Sequence, residues 1–186
     1  MRAVRAVRAR TRRGQKGFTL IDMMFVVALI GLLMTLAIPG LMRARGAAQV
    51  SSAIGTLRAI NSAQLSYAIT CGLGFYAPDL PTLGNKPPGA MEAFLVPELT
   101  AAPTIAKSGY TFSMAGTGMA GAPATCNGLG AGAAAPGYAV VADPLDSTPP
   151  ARFFGTNADG VLYEHSGSLA TTMPESGPPS SGAPLK

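Results

Sequence analysis

From Phe18 to Met42 the chain carries one ionisable side chain, Asp22, and the only other polar groups in that run are the hydroxyls of Thr19 and Thr35. A helix crosses the hydrocarbon of a bilayer with about 20 apolar residues, so the run is long enough to span one. Beyond it, Val50, Ile54, Leu57, Ile60 and Leu65 recur at the spacing of an amphipathic stripe, among alanines that favour helix. A helix from 18 to about 70 is roughly 80 Å long at 1.5 Å per residue. No small head covers that length. The first part, about 18–42, is therefore expected in lipid or against other chains. Pro39-Gly40 is expected to bend the helix rather than end it.

The formal charge of +5 belongs to the start of the chain. Arg2, Arg5, Arg8, Arg10, Arg12, Arg13 and Lys16 supply seven of the 14 basic residues, with no acid before Asp22. Residues 18–186 hold the other seven and all nine acids, a net of −2. The basic balance thus gives no support to nucleic-acid binding by the body. Basic residues stay on the cytoplasmic side of a span. That rule puts residues 1–17 in the cytoplasm and everything past Arg43 outside it. Cys71 and Cys126 then face an oxidising compartment and are expected to form a disulfide; two separate thiols are the alternative.

Three kinds of processing compete. A secretory signal cut at Ala44-Arg45-Gly46 has small residues in the right places, but its apolar core is too long. Thr11-Arg12-Arg13 suggests a twin-arginine signal, yet Gly14-Gln15-Lys16 lacks the apolar residues expected next. The third places the cut before the apolar run, between Gly17 and Phe18.

Here Lys16-Gly17-Phe18-Thr19-Leu20-Ile21-Asp22, set between a basic leader and a long apolar run, resembles the class III signal of type IV pilins and type II secretion pseudopilins. The resemblance covers roughly residues 14–70 and only loosely the β-region beyond them. It implies that a prepilin peptidase cuts after Gly17 and methylates the new amino terminus on Phe18. It implies a kinking proline at Pro39. It also implies that the carboxylate of residue 22, usually glutamate in the family and aspartate here, pairs with the terminal amine of a neighbouring subunit. A lone charge in hydrocarbon costs at least several kcal/mol, by order of magnitude, and such a pair offsets two penalties at once. The alternative is that Asp22 only complements the positive end of the helix dipole near the headgroups. Gly31 and Ala28 leave room for close helix packing.

The expected fold is α+β: the long helix, then an αβ-loop over 71–107, an antiparallel sheet over 108–165, and a Gly/Pro/Ser-rich tail over 166–186, mobile or loosely docked. Helix 18–70 stops at Cys71-Gly72, with Gly72 as a left-handed cap. A short helical patch is expected at 91–96. Strands are expected at Tyr110–Met114, Tyr138–Val141, Arg152–Phe154 and Val161–Tyr163. They form three to four strands, with a flexible loop from Ala115 to Pro136 and a hairpin turn at Asn157-Ala158-Asp159-Gly160.

Catalytic chemistry is sparse, and no enzyme activity is expected. His165 is the one histidine, and only a Cys–His pair with one of the two cysteines keeps a nucleophile open. Asp143, Asp146 and Asp159 lie in loops that could meet around calcium, although solvated turn acids are commoner. No cofactor is expected. The leading expectation is a structural subunit of a type IV pilus-like filament. Its partners are other copies of itself, the peptidase, the bilayer before assembly and the assembly machinery, with no nucleic acid required. The precursor sits in a bacterial inner membrane, and the filament is extracellular or periplasmic. The alternatives are a type II secretion pseudopilin and a minor tip subunit that binds DNA or a surface.

Overall fold

The computed structural model describes residues 17–147 and 151–185; the basic leader 1–16 lies outside the described residues. The chain divides into two compact units, one ending at Ala44 and one running from Arg45. Helix α1, Leu20–Thr70, belongs to both and continues through Pro39.

In the first unit every described residue is exposed. The large apolar side chains from Phe18 to Met42 are each between 43% and 78% exposed. That much uncovered hydrocarbon is incompatible with life as a free subunit in water.

In the second unit α1 buries one face, through Ala53, Leu57, Ile60, Gln64 and Tyr67. These recur every three or four residues, as one face of a helix does. The face differs from the expected stripe at its end. Leu65 follows Ile60 by five residues, about 140° round at 3.6 residues per turn, and is 56% exposed. Gln64 replaces it in the seam. Its amide is wholly buried and fully used: Nε2 donates to the Ala77 carbonyl at 2.8 Å and Oε1 accepts from the Ala77 amide at 2.9 Å. A buried amide satisfied on both sides avoids the desolvation penalty of an orphan. Here it also pins the segment after the helix to the helix.

The helix end differs from expectation. Leu73 (φ 52°) and Gly74 (φ 93°) take the left-handed conformation, not Gly72. Gly72 is required for space, since a Cβ there would lie 2.1 Å from the Phe75 carbonyl oxygen. The short helices are α2, Leu80–Gly84, and α3, Pro97–Thr100. Residues 91–96 are not helical. Pro97 disfavours helical geometry in the residue before it, and Val96 is extended (ψ 146°). The proline therefore starts a helix instead of following one. Asp79 caps α2, accepting from the Thr82 amide at 2.8 Å.

The sheet is a six-stranded antiparallel meander in chain order. Its strands are β1 Thr104–Lys107, β2 Tyr110–Ala115, β3 Ala139–Pro144, β4 Phe153–Asn157, β5 Leu162–His165 and β6 Ala183–Pro184. The fold is thus α+β, a long helix packed on an antiparallel sheet. The sheet starts inside the expected αβ-loop and ends inside the expected tail, which raises the strand number from three or four to six. Tyr110, Phe112, Met114, Val140, Ala142 and Phe154 join the helix in the main core. Asn61 links the layers, donating to Thr156 Oγ1 at 2.8 Å and accepting from the Tyr138 hydroxyl at 3.1 Å.

The other face of the sheet is covered too. Leu169 and Met173 of the tail pack with Val141 and Tyr163 in a second cluster. They fit because β4 has Gly155 beneath them; a Cβ there would lie 3.1 Å from the Met173 sulfur and 3.2 Å from Leu169 Cδ1. The buried Asn157 amide donates to the Pro174 and Gly177 carbonyls, at 3.2 and 2.6 Å. The Glu175 carbonyl accepts from the amides of Tyr138 and Ala158. The tail is docked, contrary to its composition, because two isolated apolar side chains meet a hole made for them. Leu169→Ala should lower unfolding free energy by about 2–5 kcal/mol, read by urea denaturation; a change near zero would mean the tail adds no stability.

The segment from Ala115 to Pro136 is laced by its own backbone rather than left open. Met119 N donates to Ala134 O and Gly132 N to Ala122 O, and Tyr76 bridges to Ala135. Small residues allow this approach. A Cβ on Gly118 would meet the Gly132 carbonyl oxygen at 2.8 Å.

Burial raises the hydroxyl pKa of Tyr67, Tyr110 and Tyr138. The sign follows from linkage. Unfolded tyrosine ionises near pH 10 while these stay protonated when folded, so their contribution is intact below about pH 10 and is lost as pH rises past it. The thermal midpoint should fall between about pH 10 and 11.5. A flat profile there would contradict the burial of these hydroxyls.

Candidate functional site

The candidate site is the start of α1. Gly17 and Phe18 precede the helix, both exposed, Phe18 by 75%. A glycine without a side chain beside an accessible backbone suits entry into a protease cleft.

Thr19 stands at the N-cap and Asp22 at the third helical position. Asp22 Oδ2 accepts from the Thr19 amide at 3.1 Å and also from the Thr19 hydroxyl. In return the Asp22 amide donates to Thr19 Oγ1 at 3.3 Å. This is a reciprocal capping box with aspartate in place of the usual longer acid. It satisfies two backbone donors that a helix start otherwise leaves open. It also places the carboxylate at the positive end of the helix dipole. Oδ1 has no hydrogen-bond partner among the described residues.

Sequence reading weighed Asp22 as a partner for another subunit or as an unpaired acid, and missed Thr19. The signal was present, since a threonine three residues before an acid at the head of an apolar run is a capping pattern. The geometry allows both roles at once, with one oxygen engaged by its own chain and the other free for an incoming cation. Thr19→Val removes the hydroxyl and keeps the shape. It should cost about 0.5–2 kcal/mol at the cap, read as faster amide hydrogen exchange in the first turn of α1 in detergent. Unchanged exchange there would show that the capping box adds nothing to the helix start.

Pro39 lies within α1, well away from this cluster. Cys71 and Cys126 lie elsewhere again, joined as a disulfide with their Cα atoms 4.9 Å apart. The bridge holds the end of α1 to the small-residue loop. Asn127 extends the tie, donating to the Thr82 carbonyl at 2.8 Å and accepting from Thr125 Oγ1 at 2.7 Å.

The remaining candidates do not assemble. Both cysteine sulfurs are bonded to each other, so no thiolate faces His165, whose Nδ1 accepts from the Gly167 amide at 3.1 Å. Asp143 accepts from Ser168 Oγ at 2.7 Å, and Asp159 accepts from the Gly177 amide at 2.8 Å. Among the described residues no three His, Cys, Asp or Glu side chains converge as a metal site, and Asp143, Asp146 and Asp159 do not meet. Helix α1 is long and apolar enough, by length and composition, to cross a membrane.

Residues 12–38 match the family model of the prokaryotic N-terminal methylation motif. This is the class III signal carried by type IV pilins and pseudopilins. Neither the curated proteins nor the solved structures yield a match to the chain.

Proposed function

We propose that this protein is a structural subunit of a type IV pilus-like filament, made as a membrane-held precursor, cut after Gly17, methylated on Phe18 and polymerised through α1. The observation that carries the reading is the methylation motif at residues 12–38, continued directly into a helix whose apolar side chains are uncovered from Phe18 to Met42. Lipid covers that surface in the precursor, and other copies of the same helix cover it after extraction. Helix packing without water depends on close approach, which Gly31 and Ala28 permit. The new terminus carries a cation, and Asp22 of a neighbour supplies the matching anion. Exchanging two desolvated single charges for one pair favours a fixed stagger between subunits.

The test is mass spectrometry of the N terminus in fibres sheared from the cell surface. The expected result is a chain beginning at methylated Phe18 and making up the bulk of the fibre. An intact Met1, or a terminus near Ala47, would overturn the processing. A methylated Phe18 confined to the cell envelope would point instead to a short periplasmic filament of the pseudopilin kind.

A further inference from the structure

Within the unit that begins at Arg45 the charges are sorted by element. Its part of α1 carries Arg45 and Arg58 and no acid, whereas the rest carries eight acids against four basic residues. Lys107 is taken up by Glu98 at 3.5 Å, and Arg152 by Glu164. Arg58 and Glu92 are both exposed, and neither has an ion-pair partner among the described residues.

Each of these two charges lies on an element that also exposes large apolar side chains. On the same side of α1 as Arg58, about two and three turns further on, Leu65 and Ile69 are 56% and 73% exposed, and Gly55 has open space above it. Beside Glu92, in the connection between α2 and α3, Met91 is 94% and Val96 53% exposed. The inner side chains of that connection face the other way: Phe94 meets Tyr67 edge-on at 5.3 Å, and Leu95 is in the core. One face presents a lone base with an apolar shelf further along the helix; the other presents Glu92 with two exposed apolar side chains, Lys86 lying six residues before it. Complementary charge steers and registers a contact, and apolar contact around the pair removes it from water.

The two faces belong to different elements of the same chain. A contact between unlike faces is heterologous, so it does not close on a dimer and repeats from copy to copy. We propose that the Arg58 face of one copy receives the Met91-Glu92-Val96 knob of the next. Arg58 then pairs with Glu92, and Met91 and Val96 cover Leu65 and Ile69. This rests on the filament reading and supplies it with a contact outside the membrane-spanning part of the helix.

The experiment is a charge swap in the full-length chain, expressed with its assembly machinery. Arg58→Glu and Glu92→Lys are each expected to cut sheared filament about tenfold, and the double variant to recover at least half of the wild-type yield, because opposite charges face each other again. Both positions are exposed, so folding should survive; the non-reducing gel mobility of the Cys71–Cys126 bridge checks that. Single variants at wild-type yield, or a double variant no better than either single, would overturn the contact. A second measurement uses Leu65→Cys with Met91→Cys and a short bismaleimide on intact cells. A ladder of covalent oligomers supports the contact, and monomer alone in cells that carry filaments rejects it. If the wild-type chain is cut and methylated but never found in filaments, the filament reading falls. The cross-link on membrane-held chains then decides the contact separately.

Discussion

Asp22→Ala should abolish surface filaments, a loss of at least about 100-fold, while leaving membrane insertion and cleavage after Gly17 intact. The size follows from the environment. An amine on Phe18 in hydrocarbon without its partner costs several kcal/mol, by order of magnitude, and each 1.4 kcal/mol is about tenfold in an equilibrium. The same penalty would recur at every subunit contact. Losing the capping box adds only about 0.5–2 kcal/mol, so the cap alone does not account for a loss of that size. Asp22→Asn separates the two contributions, since its amide can still accept from Thr19 but carries no charge. It is expected to fail nearly as badly as alanine. Asp22→Glu should retain filaments, because it keeps the charge and extends the reach. The readout is sheared fibre on an immunoblot beside the mass of the processed chain. Normal fibre from Asp22→Ala would reduce the residue to a dipole partner at a helix start.

Removing the disulfide has the second largest expected effect. Cys71 and Cys126 are 55 positions apart, and closing a loop of that size is worth about 4 kcal/mol in the chain-entropy model. For a unit of this size the double serine variant should melt about 10 °C lower. The detergent-solubilised chain is suitable for the measurement, with wild type under reductant as a second arm. The loss would begin locally. Asn127 directly follows the bridge and holds Thr82 and Thr125, so the connection after α1 and the small-residue loop should lose protection from hydrogen exchange first. Equal melting temperatures would mean that packing and the Asn127 hydrogen bonds already hold the loop.

Sequence showed the parts of this chain that repeat a pattern. The apolar run, the alternation in Tyr110–Met114 and the turn at Asn157–Gly160 each rest on several residues that agree. It failed where structure rests on one or two. Strand β1 has a single large apolar side chain, Ile105, and β6 has only two residues. Leu169 and Met173 are scattered in a polar background, and their significance lies in Gly155, which is remote in sequence. Glycine there marks a strand that takes side chains from another layer, but a lone glycine carries no address. At the helix start the carboxylate was conspicuous and its partner was not, because Thr19 looked like one weak polar residue in an apolar run. The Arg58 and Glu92 faces needed exposure as well as sequence, since a charge on the chain is not by itself a charge on a free surface.

The small-residue loop between β2 and β3 has a consequence for how such a protein can diverge. It looks like disposable surface, mostly glycine and alanine, of the kind that drifts freely between relatives. Its backbones lie too close for that, as the 2.8 Å approach at Gly118 shows. A larger side chain at Gly116, Gly118 or Gly137 has to push main chain apart, whereas Gly121 and Gly130 face open space. Variation between related chains should therefore avoid those positions and collect on exposed ones such as Lys86 and Ser166. Within a stretch that looks uniformly permissive, three glycines are among the least free positions of the head.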